Sequence, residues 1–386
     1  MLSAPERWTS RFVAVLLSLT VLLTIAIGIS QLLFIWHVRP PLESNRAQQK
    51  RHYQSYLDDI EYISKHAFIP LKGEQKKDAG PYLNRRVYWS PASDGFPNAP
   101  LVSKDIKETL IRYRSDWMKK YQRVRTMNVD LSVFQNLSQY DHWDLEIDSP
   151  IAQLADQLQF VPPPSLPLPE TNDLIALVKL RLMRGALDKD FINALKDVRA
   201  LARLMLTTEN MSIVLAGLTI LDYERFAFRF YVDRFNLPRD AWTPVDRNFT
   251  RRAYRAGAAT RSYLHLWTEP RMLEEIFLTD IEPFGFCAAV NEAFPAEFAL
   301  RPLLKRRWFF ELDLQSEYER LDKIFARARK TCRIRYLAEL VDHRAIHTKI
   351  PGPPLLVQLP YARKVFGLRS SVLSFQGFGA YELAPY

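Results

Sequence analysis

The residues with the densest chemical potential lie between Tyr140 and Asp148, in the run Tyr-Asp-His-Trp-Asp-Leu-Glu-Ile-Asp. Carboxylates beside an imidazole are what general acid–base catalysis or a hard-cation site requires. Asp141, His142, Asp144 and Glu146 are therefore the catalytic candidates. In an extended segment, Asp144, Glu146 and Asp148 would share one face at period two. The plainer reading is an acidic connector between aromatic anchors.

Three further groups could do chemistry. His343 and His347 stand four apart, so a helix would put both on one face, as zinc needs; a site still requires more ligands and a supporting shell. Cys287 and Cys332 could form a disulfide in an oxidising compartment, or remain two buried thiols. Arg251, Arg252, Arg255 and Arg261 crowd one expected helix, with Tyr254 and Tyr263 among them. They could meet anionic lipid or a cell-wall polyanion, or form an ordinary ion-paired face. There is no GxSxG, SxxK, HExxH, GxxxxGK[ST] or GxGxxG pattern, so neither an activated serine nor a phosphate cradle is signalled and no cofactor is expected.

The elements that must carry these groups begin with an apolar run. From Phe12 to Trp36 no side chain is charged. As a helix, that run would extend about 37 Å, enough for a hydrocarbon core of about 30 Å. Trp8 and Trp36 flank it where indoles prefer to sit. The expected partner is thus a lipid bilayer, through residues 12–36. Ala26 and Gly28 offer the rival reading of a cleavable signal, but the apolar run continues past them to Trp36. Arg39, Arg46, Lys50 and Arg51 after the run would favour a cytoplasmic body; the short basic leader favours export, and large domains translocate despite their charge. Export is preferred, which in a bacterium means an inner-membrane protein with a periplasmic body.

The expected fold class is mainly α. The organisation is a leader (1–11), the anchor (12–36), a linker (37–50), a helical and irregular membrane-proximal region (51–161), a proline-rich linker (162–169), an α-helical domain (170–350) and an extended or β tail (351–386). Tyr53, Leu57, Ile60 and Ile63 step as one helix face over 51–66. Breakers fill 67–100, with one short strand at Arg86–Trp89. Ser103 caps a helix running to about Val124. Five prolines in 162–169 favour extended polyproline.

Beyond them, Leu174–Leu187, Asp190–Leu206 and Asn210–Phe235 read as three antiparallel helices, the first capped by Thr171 or Asn172. Asp246–Leu266, Met272–Leu278 and Pro302–Tyr336 continue the pattern. Across the first pair, Leu177, Leu182, Gly185, Ala194 and Leu201 resemble one tetratricopeptide-type helical hairpin over about 35 residues. No further copies follow at a fixed period, so the hairpin is generic and carries no function with it.

Net charge is +10 and glycine is scarce, at 12 residues in 386. An anchor disfavours nucleic acid as the partner of that charge. The expected function is a single-pass, membrane-anchored helical interaction or scaffold protein of the cell envelope, holding a protein partner or a second copy. A membrane-anchored hydrolase acting on an envelope substrate is the alternative.

Overall fold

A computed structural model describes residues 15–23, 25–26, 29, 47–48, 50–66, 68, 76–90, 95–97, 99–112, 116–156, 167–263, 277, 283–291, 323–324, 326–328 and 330–333. Met1–Val341 forms one unit; the second, Asp342–Tyr386, lies outside the described residues, as do His343, His347 and the expected tail.

The described chain is mainly helical. Three helices make its centre: α5 (Thr171–Asp188), α6 (Phe191–Leu206) and α7 (Met211–Phe235). Their starts follow from capping. Glu170, rather than Thr171 or Asn172, caps α5 by accepting the Asn172 amide at 3.2 Å. Asn210 caps α7 through the Ile213 amide at 3.2 Å. Such caps satisfy amides that the first turn leaves without partners. Lys189 and Asn236 end α5 and α7 in the left-handed region.

Leu177, Leu180, Leu182, Leu195, Leu201 and Ile220 are all fully buried between these helices. Each such side chain contributes about 1.5–3 kcal/mol by leaving water. Gly185 lets α5 and α6 approach: a Cβ there would lie 2.5 Å from the Ala194 Cβ. The Tyr231 hydroxyl crosses from α7 to donate to the Leu182 carbonyl.

Before this centre come α1 (50–64), α2 (Gly80–Leu83), β1 (Trp89–Ser90), α3 (Lys104–Arg112), a 3-10 helix (Met118–Thr126) and α4 (Pro150–Asp156). The single helix expected from Ser103 to Val124 is therefore two pieces, and Lys120 breaks the second with non-helical angles (φ −97°, ψ 16°). Leu110 and Trp117 nevertheless both reach the core. The strand expected at Arg86–Trp89 sits at Trp89–Ser90 and pairs antiparallel with β2 (Leu168–Pro169).

That pairing changes the meaning of the proline-rich stretch. Its last residues are pinned to the preceding region 51–161, and one hydrophobic core runs through residues on both sides of it. Asp173, 1% exposed, completes the seam: it accepts the amides of Leu101 at 2.7 Å and Val102 at 3.1 Å, and pairs with Lys107 at 3.0 Å. Helix α8 (Arg247–Tyr263) then returns to pack on α1 through Tyr56 with Thr260, and Tyr62 with Asp246.

The spanning helix expected over 12–36 is not found: among the described residues, no helix is long and apolar enough to cross a membrane. Residues 15–23, 25, 26 and 29 of that run are helical, and the rest lies outside the described residues. The helices expected at 272–278 and 302–336 are described only at 277 and at helical positions between 323 and 331.

Candidate functional site

The acidic run is not extended. It lies beside residues 76–80, which run parallel to it. The Asp141 amide donates to the Lys77 carbonyl at 2.9 Å, the Ala79 amide donates to the His142 carbonyl at 2.8 Å, and Asp78 and His142 form the bridge. After Asp144 the chain turns, with Asp148 in the left-handed region. Asp144, Glu146 and Asp148 consequently do not share a strand face. Gly80 permits the close approach, since a Cβ there would sit 2.5 Å from the Asp144 carbonyl.

Two of the candidate carboxylates are already committed to backbone. Asp141 accepts the amides of Lys76 and Lys77, each at 3.0 Å, and these bonds hold its carboxyl below the usual carboxylate range. Asp144 accepts the Glu146 amide at 2.8 Å, yet burial pushes its carboxyl up, with Asp78 adding to the rise. Glu146 is part-buried beside it, and Asp148 pairs with Arg85 at 3.0 Å on the surface.

The residue that joins His142 is one the sequence did not single out. Asp78 accepts the amides of Gly80 at 2.8 Å and Asp144 at 2.9 Å through one oxygen. The same oxygen lies 3.7 Å from His142 Nε2, too far for a hydrogen bond. Its other oxygen, Asp78 Oδ2, is buried without a hydrogen-bond partner, as are His142 Nδ1 and Arg203 Nε. Burial lowers the His142 imidazole below its ordinary range; the positive charge of Arg333 adds to this, and the carboxylates of Asp78, Asp144 and Asp141 oppose it. A neutral imidazole can accept a proton from a reacting group at an open nitrogen, the step general-base chemistry requires.

The surroundings hold this pair rigidly. Asn84, fully buried, donates through Nδ2 to the carbonyls of Asp144 at 2.9 Å and Ile147 at 2.6 Å, and accepts the Trp143 indole N–H at 2.7 Å. Its backbone carbonyl accepts the Trp89 indole N–H at 2.9 Å. Thr207, at the end of α6, accepts the Trp143 amide at 3.0 Å. Arg203 donates to the Tyr140 carbonyl at 2.8 Å. A described cavity of about 200 Å³ lies instead between Ser90, Pro169, Glu170, Asn210 and Ser212 and includes none of the candidates.

The arginine group divides. Arg255 pairs with buried Asp59 at 2.8 Å; Arg252 reaches the same carboxylate at 3.6 Å and lies 4.4 Å over the Tyr62 ring. These two clamp α8 to α1. Arg251 is exposed and Arg261 part-exposed.

Cys287 and Cys332 are joined as a disulfide, with Cα atoms 5.4 Å apart. Among the described residues, one group of three metal-ligating side chains lies close enough to share an ion, and it contains this pair together with Glu209. Sequence spacing gave no sign of Glu209, which precedes Cys287 and Cys332 and forms no ligand pattern with them. Asp78 had only a faint signal: an Asp two residues before a Gly-Pro pair suits a side-chain-capped turn.

No protein-family model, curated protein or solved structure matches this chain.

Proposed function

We propose that the protein is a helical interaction protein of the cell envelope, tethered to a bilayer through residues 12–36, with its body on the oxidising side. One observation carries the tether. Val15, Leu16, Leu17, Leu19, Val21, Leu22, Leu23, Ile25 and Ile29 are each 50–64% exposed on helical residues. Contiguous apolar surface of this kind marks a lipid or protein contact. Burying each side chain in hydrocarbon contributes about 1.5–3 kcal/mol. The Cys287–Cys332 disulfide supports an oxidising location for the body.

The interaction role rests on how the polar groups are used. Asp59, Asp141 and Asp173 each hold backbone amides or a cationic side chain of another segment. They build a rigid body suited to presenting a surface. A tethered hydrolase is the second reading, favoured by the open Asp78 and His142 atoms.

Alkaline carbonate washing of membranes tests the tether. The full chain is expected in the pellet, and a variant lacking residues 12–36 in the supernatant. Crosslinking in the same membranes should capture one stoichiometric protein or a second copy. Full-length chain released by the wash would overturn the proposal.

A further inference from the structure

Three elements meet at the disulfide. Glu209 lies in the turn between α6 and α7, Cys287 lies in the helical residues 286–291, and Cys332 follows the helical residues ending at 331. The turn is fixed to the second element by Asn291, whose Nδ2 donates to the Glu209 carbonyl at 2.6 Å. It is fixed to the third by the Glu209 carboxylate, which accepts the Arg333 amide with both oxygens, at 2.9 and 2.8 Å. A carboxylate oxygen of Glu209 and the two sulfurs all lie within 4.8 Å of one another.

We propose that Glu209, Cys287 and Cys332 form a site for a thiophilic divalent cation, zinc above all, which opens when the disulfide is reduced. A tetrahedral zinc with sulfur ligands at about 2.3 Å and a carboxylate oxygen at about 2.0–2.2 Å separates its ligand atoms by roughly 3.5 Å. The oxygen, at most 4.8 Å from either sulfur, must therefore close by no more than about 1.3 Å while the sulfurs move apart. Side-chain rotation achieves both once the sulfur–sulfur bond is gone. Cys287 is 5% exposed, while Cys332 and Glu209 are part-buried, so one edge of the site meets solvent. Lys330 and Arg333 flank Cys332, and positive charge favours the thiolate form that a metal needs.

The steps balance as follows. A dithiol reductant supplies two electrons and two protons; its own disulfide forms as the Cys287–Cys332 bond breaks, leaving two thiols. Zinc then binds both sulfurs as thiolates, and two protons leave to solvent. Glu209 supplies the third bond and water the fourth. Two thiolates, one carboxylate and the dication sum to a single negative charge, which Arg333 and Lys330 offset. The same three elements are thus stapled by a covalent bond in oxidising surroundings and by a metal in reducing ones. This holds whichever side of a membrane the body occupies.

The test uses the full chain in detergent micelles, reduced with dithiothreitol, desalted without oxygen and titrated with cobalt and then zinc. One equivalent of cobalt should bind with a thiolate-to-cobalt charge-transfer band, zinc should displace it, and two protons should be released for each zinc. The oxidised chain should show no such band. Glu209→Gln keeps both cysteines and should weaken zinc binding by at least about 10-fold. Cys287→Ser with Cys332→Ser should abolish the band. The proposal is overturned if the reduced chain binds no cobalt, if Glu209→Gln binds zinc as tightly as the parent, or if the double serine variant retains binding, which would place the ion elsewhere, for example on His343 and His347.

Discussion

Replacing Asn84 by Leu removes three side-chain hydrogen bonds while keeping the same number and branching of heavy atoms. The Trp143 indole N–H and the carbonyls of Asp144 and Ile147 then lose their partner. An unpaired buried donor or acceptor costs about 1–3 kcal/mol. Ile147 is 41% exposed, so its carbonyl can recover water and is discounted. The other two lie beneath fully buried Trp143 and against Gly80, where water has no room. The expected loss is roughly 2–6 kcal/mol, a large part of a total stability of about 5–15 kcal/mol. Denaturant unfolding of the full chain in detergent measures it, with near-ultraviolet circular dichroism following the buried indoles. Trp89 bonds to the Asn84 backbone carbonyl and should be affected less than Trp143. Asn84→Asp sharpens the case: it can still accept from Trp143 but cannot donate to either carbonyl while ionised. It should be worse than Leu at neutral pH and recover partly in acid, where a protonated carboxyl regains one donor. A Leu variant within about 1 kcal/mol of the parent, with its aromatic dichroism unchanged, would refute the reasoning.

Gly185→Ala gains about 1 kcal/mol of helix propensity, but its Cβ falls 2.5 Å from that of Ala194, on backbone that cannot yield. Overpacking costs about 1–3 kcal/mol, so a net loss is expected in the unfolding midpoint; a more stable Ala variant would contradict the tight α5–α6 contact. His142 titrates below its ordinary 6.5 because burial and Arg333 disfavour the charged form. The unfolded chain therefore takes up a proton first. The stability from the neutral imidazole is complete above pH 6.5 and is lost as pH falls through 6.5 toward the lower folded value. His142→Gln should flatten that part of the stability profile relative to the parent; identical slopes in both chains would show that the imidazole is not the titrating group. Asp144, whose raised carboxyl works in the opposite sense, is present in both chains and cancels in the difference.

The central helices were legible because their information is local. Leucines at helical spacing, an Asn before α7 and short breaks at 189–190 and 207–210 suffice to place α5, α6 and α7 within a few residues. The seam was not legible, because a two-residue ladder has no periodicity. Pro169 cannot donate to a strand, and nothing in 162–169 indicates that Trp89 lies opposite it. How the acidic run is held was not legible for a different reason. Alternating carboxylates look the same in sequence whether they await a substrate or accept a neighbouring amide, and short acidic side chains readily do the latter. Asp141 and Asp144 do so here.

What separates a committed carboxylate from an available one is the supply of amides around it, and for Asp141 that supply comes from chain far away in sequence. Lys76 and Lys77 present their amides to Asp141 because 76–80 lies parallel to 140–144. The same alignment leaves Asp78 Oδ2 and His142 Nδ1 with no donor or acceptor left to meet. The acidic run thus contributes one of these open atoms through His142, while the other belongs to Asp78, on a segment with only a faint signal. The arginines of α8 follow the same logic. Arg252 and Arg255 read either as an ion-paired face or as a surface for anions, and Asp59 of α1, almost 200 positions earlier, makes them the former. A charged face is legible as charge from one element alone; whether that charge is spent inside the fold depends on which element arrives opposite it.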